Sequence, residues 1–322
     1  MAWPTNTREK IIALPAQTSA SITGTTLAWD LPKTGILAAL WLVITGTLTG
    51  TPSTLGALGK SLLLTRTRLI ANAGISLIDV SGPGYNYLMR DFIEHNVDPV
   101  PQSDGRGAVA SGAFDLSQYY PIALNARDPL GLIMLQNEDT QLRLELEVAA
   151  LTALANDFSA MALTVQPFIE VFTVPQNKEN WPPFQFAHTW SEEQLTVAGA
   201  GQVTYYWPRG NIYAQVLHGL GIGVSGADAF NNMAVRMNQS DYLLNAPPAF
   251  LTRQVSRYRG RTRIAGTASV DFLSMSGLGN YGSGRDLLDS RQLTDLATIL
   301  TATGASTLYT IKRQLVPLRQ PG

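Results

Sequence analysis

The chain contains no cysteine among its 322 residues. That excludes disulfides, thiolate nucleophiles, zinc–thiolate sites and iron–sulfur clusters, and leaves the fold indifferent to redox compartment. Charge is also scarce: 15% of residues are Asp, Glu, Lys or Arg, and the net charge is −1. No global field would therefore recruit nucleic acid or an anionic membrane. Histidine occurs three times. The longest apolar run, Ile36 to Ile44, is nine residues, far short of the roughly 20 that a membrane-spanning helix needs. It reads as a strand buried on both faces. Residues Met1 to Thr18 hold no apolar run long enough for a signal peptide, so a soluble subunit is expected.

What the chain does have is hydrophobic residues, 45% of the total, enough for a substantial core and for two domains. The surface left over is rich in Thr, Ser, Asn, Gln and Gly. Such a surface suits packing against other subunits, because charges are depleted at interface cores.

The pattern along the chain runs twice: short β-like runs interrupted by one helix. In the first half Tyr85, Leu88, Met89, Phe92 and Ile93 recur at helical spacing after Pro83. In the second, Leu251, Val255 and Tyr258 do so between Pro247-Pro248 and Gly260. Residues 1–18 read as an extended arm broken by Pro4 and Pro15. A first domain is expected over 19–175, a second over 176–316, and a tail over 317–322; the polar segment Val174 to Phe184 marks the boundary. The loop Asn96 to Ser111 is long enough to be a contact element. Leu142, Leu144, Leu146 and Val148 alternate with polar residues as in a half-buried strand. A third helix is expected over Ser290 to Thr303, from Leu293, Leu296, Ala297 and Leu300, stopped by Gly304. About sixteen short strands with helices only as inserts argue for an all-β chain of two antiparallel sandwiches.

No catalytic constellation stands out. Gly221/Gly223/Gly226 (with Asp241 downstream) and Gly277/Gly279/Gly282 match G-x-G-x-x-G. A dinucleotide site needs a parallel βαβ unit, and here strand-like runs lie on both sides. His188 and Glu192 could share a strand face, yet nothing completes a metal set, and His95 and His218 stand alone. Glu170, Asp115 and Asp271 show no spacing that selects a glycosidase pair. The Asn238-Gln239-Ser240 sequon matters only in a secreted eukaryotic chain. The densest charge is Arg253, Arg257, Arg259, Arg261 and Arg263. These arginines read as an exposed helix face that offsets the helix dipole and pairs across a subunit contact, or else as a phosphate patch.

The segment LLLTRTRLIANAGISLIDVSGPGYNYLMRDFIEHN, a strand turning into a helix, is followed by AFDLSQYYPIALNARDPLGLIMLQNEDTQLRLELEV, three strands with a turn at Asp128–Gly131. With PPAFLTRQVSRYRGRTRIAG in the second half, this layout resembles the double jelly-roll major capsid proteins of tailless icosahedral, internal-membrane phages of the tectivirus type. The resemblance implies two tandem eight-stranded jelly rolls standing side by side, with strands roughly normal to a shell. It implies homotrimers of pseudo-hexagonal outline that tile an icosahedral facet around an internal membrane, with penton or other minor capsid proteins as further partners. It also implies a virion location after assembly in the host cytoplasm, no reaction, no cofactor or metal, and no sequence-specific nucleic acid. Arg8 and Lys10 in the arm, and Arg253, Arg257 and Arg259 on the second helix, are the expected assembly or membrane contacts. The alternative is a jelly-roll protein that binds or cleaves carbohydrate, for which Trp181, Trp190, Trp207, Tyr205 and Tyr206 are the available aromatics.

Overall fold

A computed structural model describes residues 7–19, 23–51, 58–72, 74–93, 106, 111–124, 130–154, 157–182, 184–223, 227–260, 262–275 and 287–318. The chain divides into two compact units, Met1–Ser191 with Leu318–Gly322, and Glu192–Pro317.

The first unit holds β1 (Glu9–Ala13), β2 (Gln17–Ser19), β3 (Thr23–Asp30), β4 (Ile36–Gly50), β5 (Leu64–Ala71) and β6 (Ile75–Val80). After helix α1 (Gly82–Gly84) come β7 (Gly112–Pro121), the two-residue β8 (Ile133–Met134), β9 (Leu142–Ala150) and β10 (Phe158–Phe172). One sheet runs β1-β10-β4-β7, with β2 also on β10 and β8 on β4. The other runs β6-β5-β9-β3. The second unit takes in the second half of β11 (Phe186–Val197), then β12 (Gly201–Tyr206), β13 (Ile212–Leu220), β14 (Phe230–Met237) and β15 (Asp241–Ala246). Helix α2 (Pro248–Arg259), β16 (Thr267–Asp271), the short α3 (Phe272–Met275), β17 (Leu288–Asp289), β18 (Leu296–Ala302) and β19 (Ser306–Pro317) follow. Its sheets run β12-β18-β14-β15 and β16-β13-β19-β11, with β17 on β13.

The two units are wired identically. Count β1 and β2 as one strand, since both lie on β10, and set aside β8 and β17. Each unit then has eight strands, ordered first–eighth–third–sixth in one sheet and second–seventh–fourth–fifth in the other. This is the jelly roll. Both insert their helix between the fifth and sixth strands, one residue after the fifth ends: Ser81 is the N-cap of α1 and Pro247 that of α2.

Finer marks repeat as well. Each third strand carries a bulge at its third residue, Ala38 in β4 and Ala214 in β13. Each fifth strand carries one at a leucine, Leu77 in β6 and Leu243 in β15. Bulges bend a strand and raise its twist, so shared bulges give the two sandwiches the same local curvature. The two-residue β8 and β17 pair with the first two residues of β4 and β13, respectively. The N–H of Leu31 donates to Leu142 O as that of Trp207 does to Leu296 O.

Apolar alternation builds the cores. In β4 the first five residues are all buried and alternation follows, as expected for a strand covered on both faces. β9 buries Leu142, Leu144, Leu146 and Val148 and turns Arg143 outward. In the second unit Trp207, Tyr213, Phe230, Met233, Leu296 and Leu300 pack with Leu251 of α2.

Four expectations need correction. Residues 9–13 and 17–19 are not a free arm but the first strand of the first sandwich, with Glu9 opposite Phe172 and Gln17 opposite Val165. A five-residue edge strand exposed along most of its length shows too little apolar alternation to be seen in sequence. The unit boundary lies at Ser191/Glu192 rather than 175/176, because β11 starts in the first unit, where Trp190 and Ser191 pair with Ile78 and Asp79. The helix expected over Ser290–Thr303 is largely β18. Leu296, Thr298, Leu300 and Ala302 are buried at period two, and the β-branched Thr298, Ile299 and Thr301 favour a strand. Finally, α1 is not amphipathic. It continues as a π turn over Tyr85–Met89 and a 3-10 turn over Arg90–Phe92, and every residue from Gly82 to Phe92 except Asp91 is buried. Gly82 is required at its start, because a Cβ there would lie 1.9 Å from Ser61 O.

Candidate assembly surfaces

The residues expected to make contacts lie on exposed elements. Arg8 and Lys10 are exposed at the start of β1, and the Arg8 backbone is tied to Thr173 by two hydrogen bonds of 2.9 and 3.0 Å. Arg253 and Arg257 are exposed on α2. Arg259 ends that helix; its side chain, like Arg261, lies outside the described residues. Arg263, in sequence the last member of the same cluster, is separate in kind. Its side chain is 4% exposed and pairs with Asp228 at 2.6 Å. It also donates to Thr252 Oγ1 and Thr267 O, and lies over the Phe230 ring. It thereby fastens α2 to the sixth strand. Burial pushes the Asp228 carboxyl up, but hydrogen bonds from Arg263 and the Gly266 N–H outweigh it and hold the group below its usual range. The Asn96–Ser111 loop (apart from Arg106 and Ser111), Gly277–Gly282 and His95 lie outside the described residues.

The residues that could have carried chemistry are otherwise engaged. His188 is buried, with Nδ1 3.0 Å from Ile122 O. His218 is buried with a threonine hydroxyl on each ring nitrogen, Thr310 at 3.0 Å and Thr298 at 2.8 Å. Burial drives its pKa down to about 3, so the imidazole is neutral at any ordinary pH. Trp207 Nε1 donates to the same Thr298 hydroxyl. Glu170 accepts from Trp41 Nε1. Glu170 and Asp115 pair with Ala39 and Thr45 of β4, about 20 Å apart along the strand at roughly 3.3 Å per residue, too far for a glycosidase pair. Asp271 is in the second unit. Among the described residues no group of three His, Asp or Glu could hold a metal. Among the described residues no helix separates β13 from β14 at the Gly221 loop, unlike a dinucleotide site.

The carbohydrate reading fails on exposure. Trp190, Trp207 and Tyr205 are buried, and Tyr205 donates to Glu193 at 2.5 Å. Tyr206 alone of the expected aromatics is well exposed, and one ring is not a sugar platform. An open cleft of about 640 Å³ lies against Asp30, Lys33, Ile70, Arg143 and Glu145, without a nucleophile–base pair.

The two equivalent second–seventh–fourth–fifth sheets differ in their outward faces. In the first unit that face is laced with ion pairs: Arg66–Asp79, Arg68–Glu147 at 2.7 Å and Arg143–Glu145 at 3.1 Å. In the second it is nearly neutral. A row runs Tyr206, Ala297, Arg236, Tyr242 across the four strands, with Arg236 paired to Asp295 at 2.9 Å. Tyrosine and arginine on an otherwise neutral face are the composition of protein interfaces. The row is not legible in sequence, because its members are spread over residues 206 to 297 and only register brings them together.

No protein-family profile and no curated protein sequence matches the chain. Solved structures do. The major capsid protein of Sulfolobus turreted icosahedral virus superposes with a TM-score of 0.71 at 16% identity, over 96% of this chain and 97% of that one. The PBCV-1 capsid protein gives 0.68 at 10%, covering 98% and 95%. The major capsid protein of bacteriophage PM2 gives 0.61 at 10%, covering 98% and 100%. Over its described residues the chain has the double jelly-roll fold.

Proposed function

We propose that this chain is a major capsid protein: a structural subunit that forms homotrimers of pseudo-hexagonal outline and tiles an icosahedral shell around an internal membrane. One observation carries the reading. The whole chain is a doubled jelly roll with identical wiring in both halves, and it matches viral capsid subunits over 91% or more of their length. Two quasi-equivalent sandwiches per chain let three copies present six similar outlines, as hexagonal tiling requires. The sparse charge, and hydrogen bonds that already occupy His188, His218 and Glu170, support assembly rather than catalysis. In this reading the residues before Glu9 and the tail after Val316 reach neighbouring subunits or the membrane, with Arg8 and Lys10 in contact there. Arg253, Arg257 and Arg259 pair with carboxylates of an adjoining copy. Minor capsid proteins fill the vertices, and the virion is the site of residence after assembly in the host cytoplasm.

Native mass spectrometry and electron microscopy of the purified protein test this. Trimers that form facets or shells are expected. A monomer retained on immobilised sugar would overturn the reading.

A further inference from the structure

Both sandwiches place their fifth strand at the edge of its own sheet, yet only one of those edges is bare. In the first unit β6 has β5 on one side and the start of β11 on the other. Ile78 pairs with Trp190 and Asp79 with Ser191, in parallel. β15 is the same strand by every local mark: six residues, a bulge at its third, a leucine there, and a one-residue link to a helix. Among the described residues nothing pairs with it beyond β14. Burial records the difference. Leu77 and Ile78 are 2% and 0% exposed, whereas their counterparts Leu243 and Leu244 are half-buried. Tyr242 and, just beyond the strand, Phe250 are exposed to half or more.

The strand that covers β6 is the first strand of the next sandwich. The corresponding strand of the first sandwich, β1, is itself an edge, bonded among the described residues to β10 on one side only. Ile11 at its centre is 65% exposed. A bare edge with exposed apolar residues is a liability that proteins normally cover.

We propose that β15 of one copy pairs in parallel with β1 of a second copy, repeating between chains the β6–β11 pairing made within one. Leu244 and Asn245, the counterparts of Ile78 and Asp79, lie beside Ile11 and Ile12. The same alignment brings Asp241, exposed at the start of β15, to the start of β1, where exposed Arg8 and Lys10 outnumber Glu9. The contact is β-strand addition with charge complementarity at one end. It is also head-to-tail, because each copy offers β15 and accepts on β1, and such contacts close into a ring when the rotation between copies closes. A ring of three leaves neither edge open. The inference rests on the self-assembly described above and adds to it the pair of strands that joins the copies.

The absence of cysteine makes the test direct. Ile11→Cys and Leu244→Cys, which the alignment sets directly opposite each other on one face, are combined in one chain and treated with a short bis-maleimide. Covalent trimers on a denaturing gel are expected, and neither single substitution should yield any. In the unsubstituted protein, hydrogen exchange should find the β15 amides that point away from β14 protected; this measurement decides alone if the double variant does not fold. A native trimer that gives no cross-link and exchanges those amides rapidly overturns the strand pairing and leaves the capsid reading standing. A native monomer overturns both.

Discussion

Lowering the pH should weaken the second sandwich through one side chain, His218. The imidazole sits between the hydroxyls of Thr298 and Thr310 with no exposed surface to speak of. Burial lowers its pKa from 6.5 to about 3. The sign follows from linkage. Below pH 6.5 the unfolded chain binds a proton that the folded chain refuses, so stability is full above that value and falls as the pH drops toward 3. Each pH unit in that window costs about 1.4 kcal/mol. Between pH 7.5 and 5 the loss from this residue comes to about 2 kcal/mol. The carboxylates held low, Asp228 and Glu193, lose their contributions only further down, as the pH falls below the usual carboxylate range near 4.

The comparison is wild type against His218→Gln, which keeps a donor and an acceptor but does not titrate. Urea unfolding at one fixed protein concentration, repeated from pH 7.5 to 5, reads the difference directly. The wild type should lose about 2 kcal/mol more than the variant, a relative midpoint shift of roughly 0.5–1 M urea. Parallel pH profiles would refute the argument, since they would mean that His218 gains its proton as easily folded as unfolded.

Other outcomes follow from particular contacts. Arg263→Ala should cost about 2 kcal/mol by leaving a partly buried Asp228 unpaired. Arg263→Lys should recover little of that in chemical denaturation, because an ammonium cannot reach Thr252, Thr267 and Asp228 together. Gln215 is fully buried, and among the described residues neither of its amide atoms has a hydrogen-bond partner. Gln215→Met should therefore raise the thermal midpoint by the equivalent of about 1 kcal/mol, and a fall would count against that account. Deleting residues 1–18 should do more than impair shells. It removes the five-residue pairing of β1 with β10, on the order of 5 kcal/mol at roughly 1 kcal/mol per hydrogen bond. Calorimetry should show a destabilised or unfolded first sandwich, and an unchanged transition would refute this.

Much of the architecture could be read in advance, for identifiable reasons. β9 alternates without fault, β4 is a continuous apolar run, and α2 is bracketed by Pro247-Pro248 and by Gly260, whose positive φ of 63° ends the helix. The duplication was visible through its helices because each follows its fifth strand after one residue. β18 reads as a helix in sequence because Leu293, Leu296, Ala297 and Leu300 satisfy a helical period, while Leu296, Thr298 and Leu300 satisfy a strand period. Sequence spacing alone does not choose between them. β1 reads as an arm in sequence because a strand that buries little leaves little pattern. The candidate contact surfaces were the least legible part. Tyr206, Arg236 and Tyr242 become neighbours only through strand register, and the bareness of β15 is a property of the sheet rather than of any residue in it.

The shared bulges at Ala38 and Ala214, and at Leu77 and Leu243, turn the chain into its own control experiment. A substitution can be made at one position and then at its twin, with strand number, bulge and chain chemistry held constant. Ala38→Gly against Ala214→Gly, or Leu77→Ala against Leu243→Ala, compares two environments of one backbone site in a single molecule. Whatever the members of a pair have in common belongs to the jelly roll. Whatever differs measures what surrounds each copy of it.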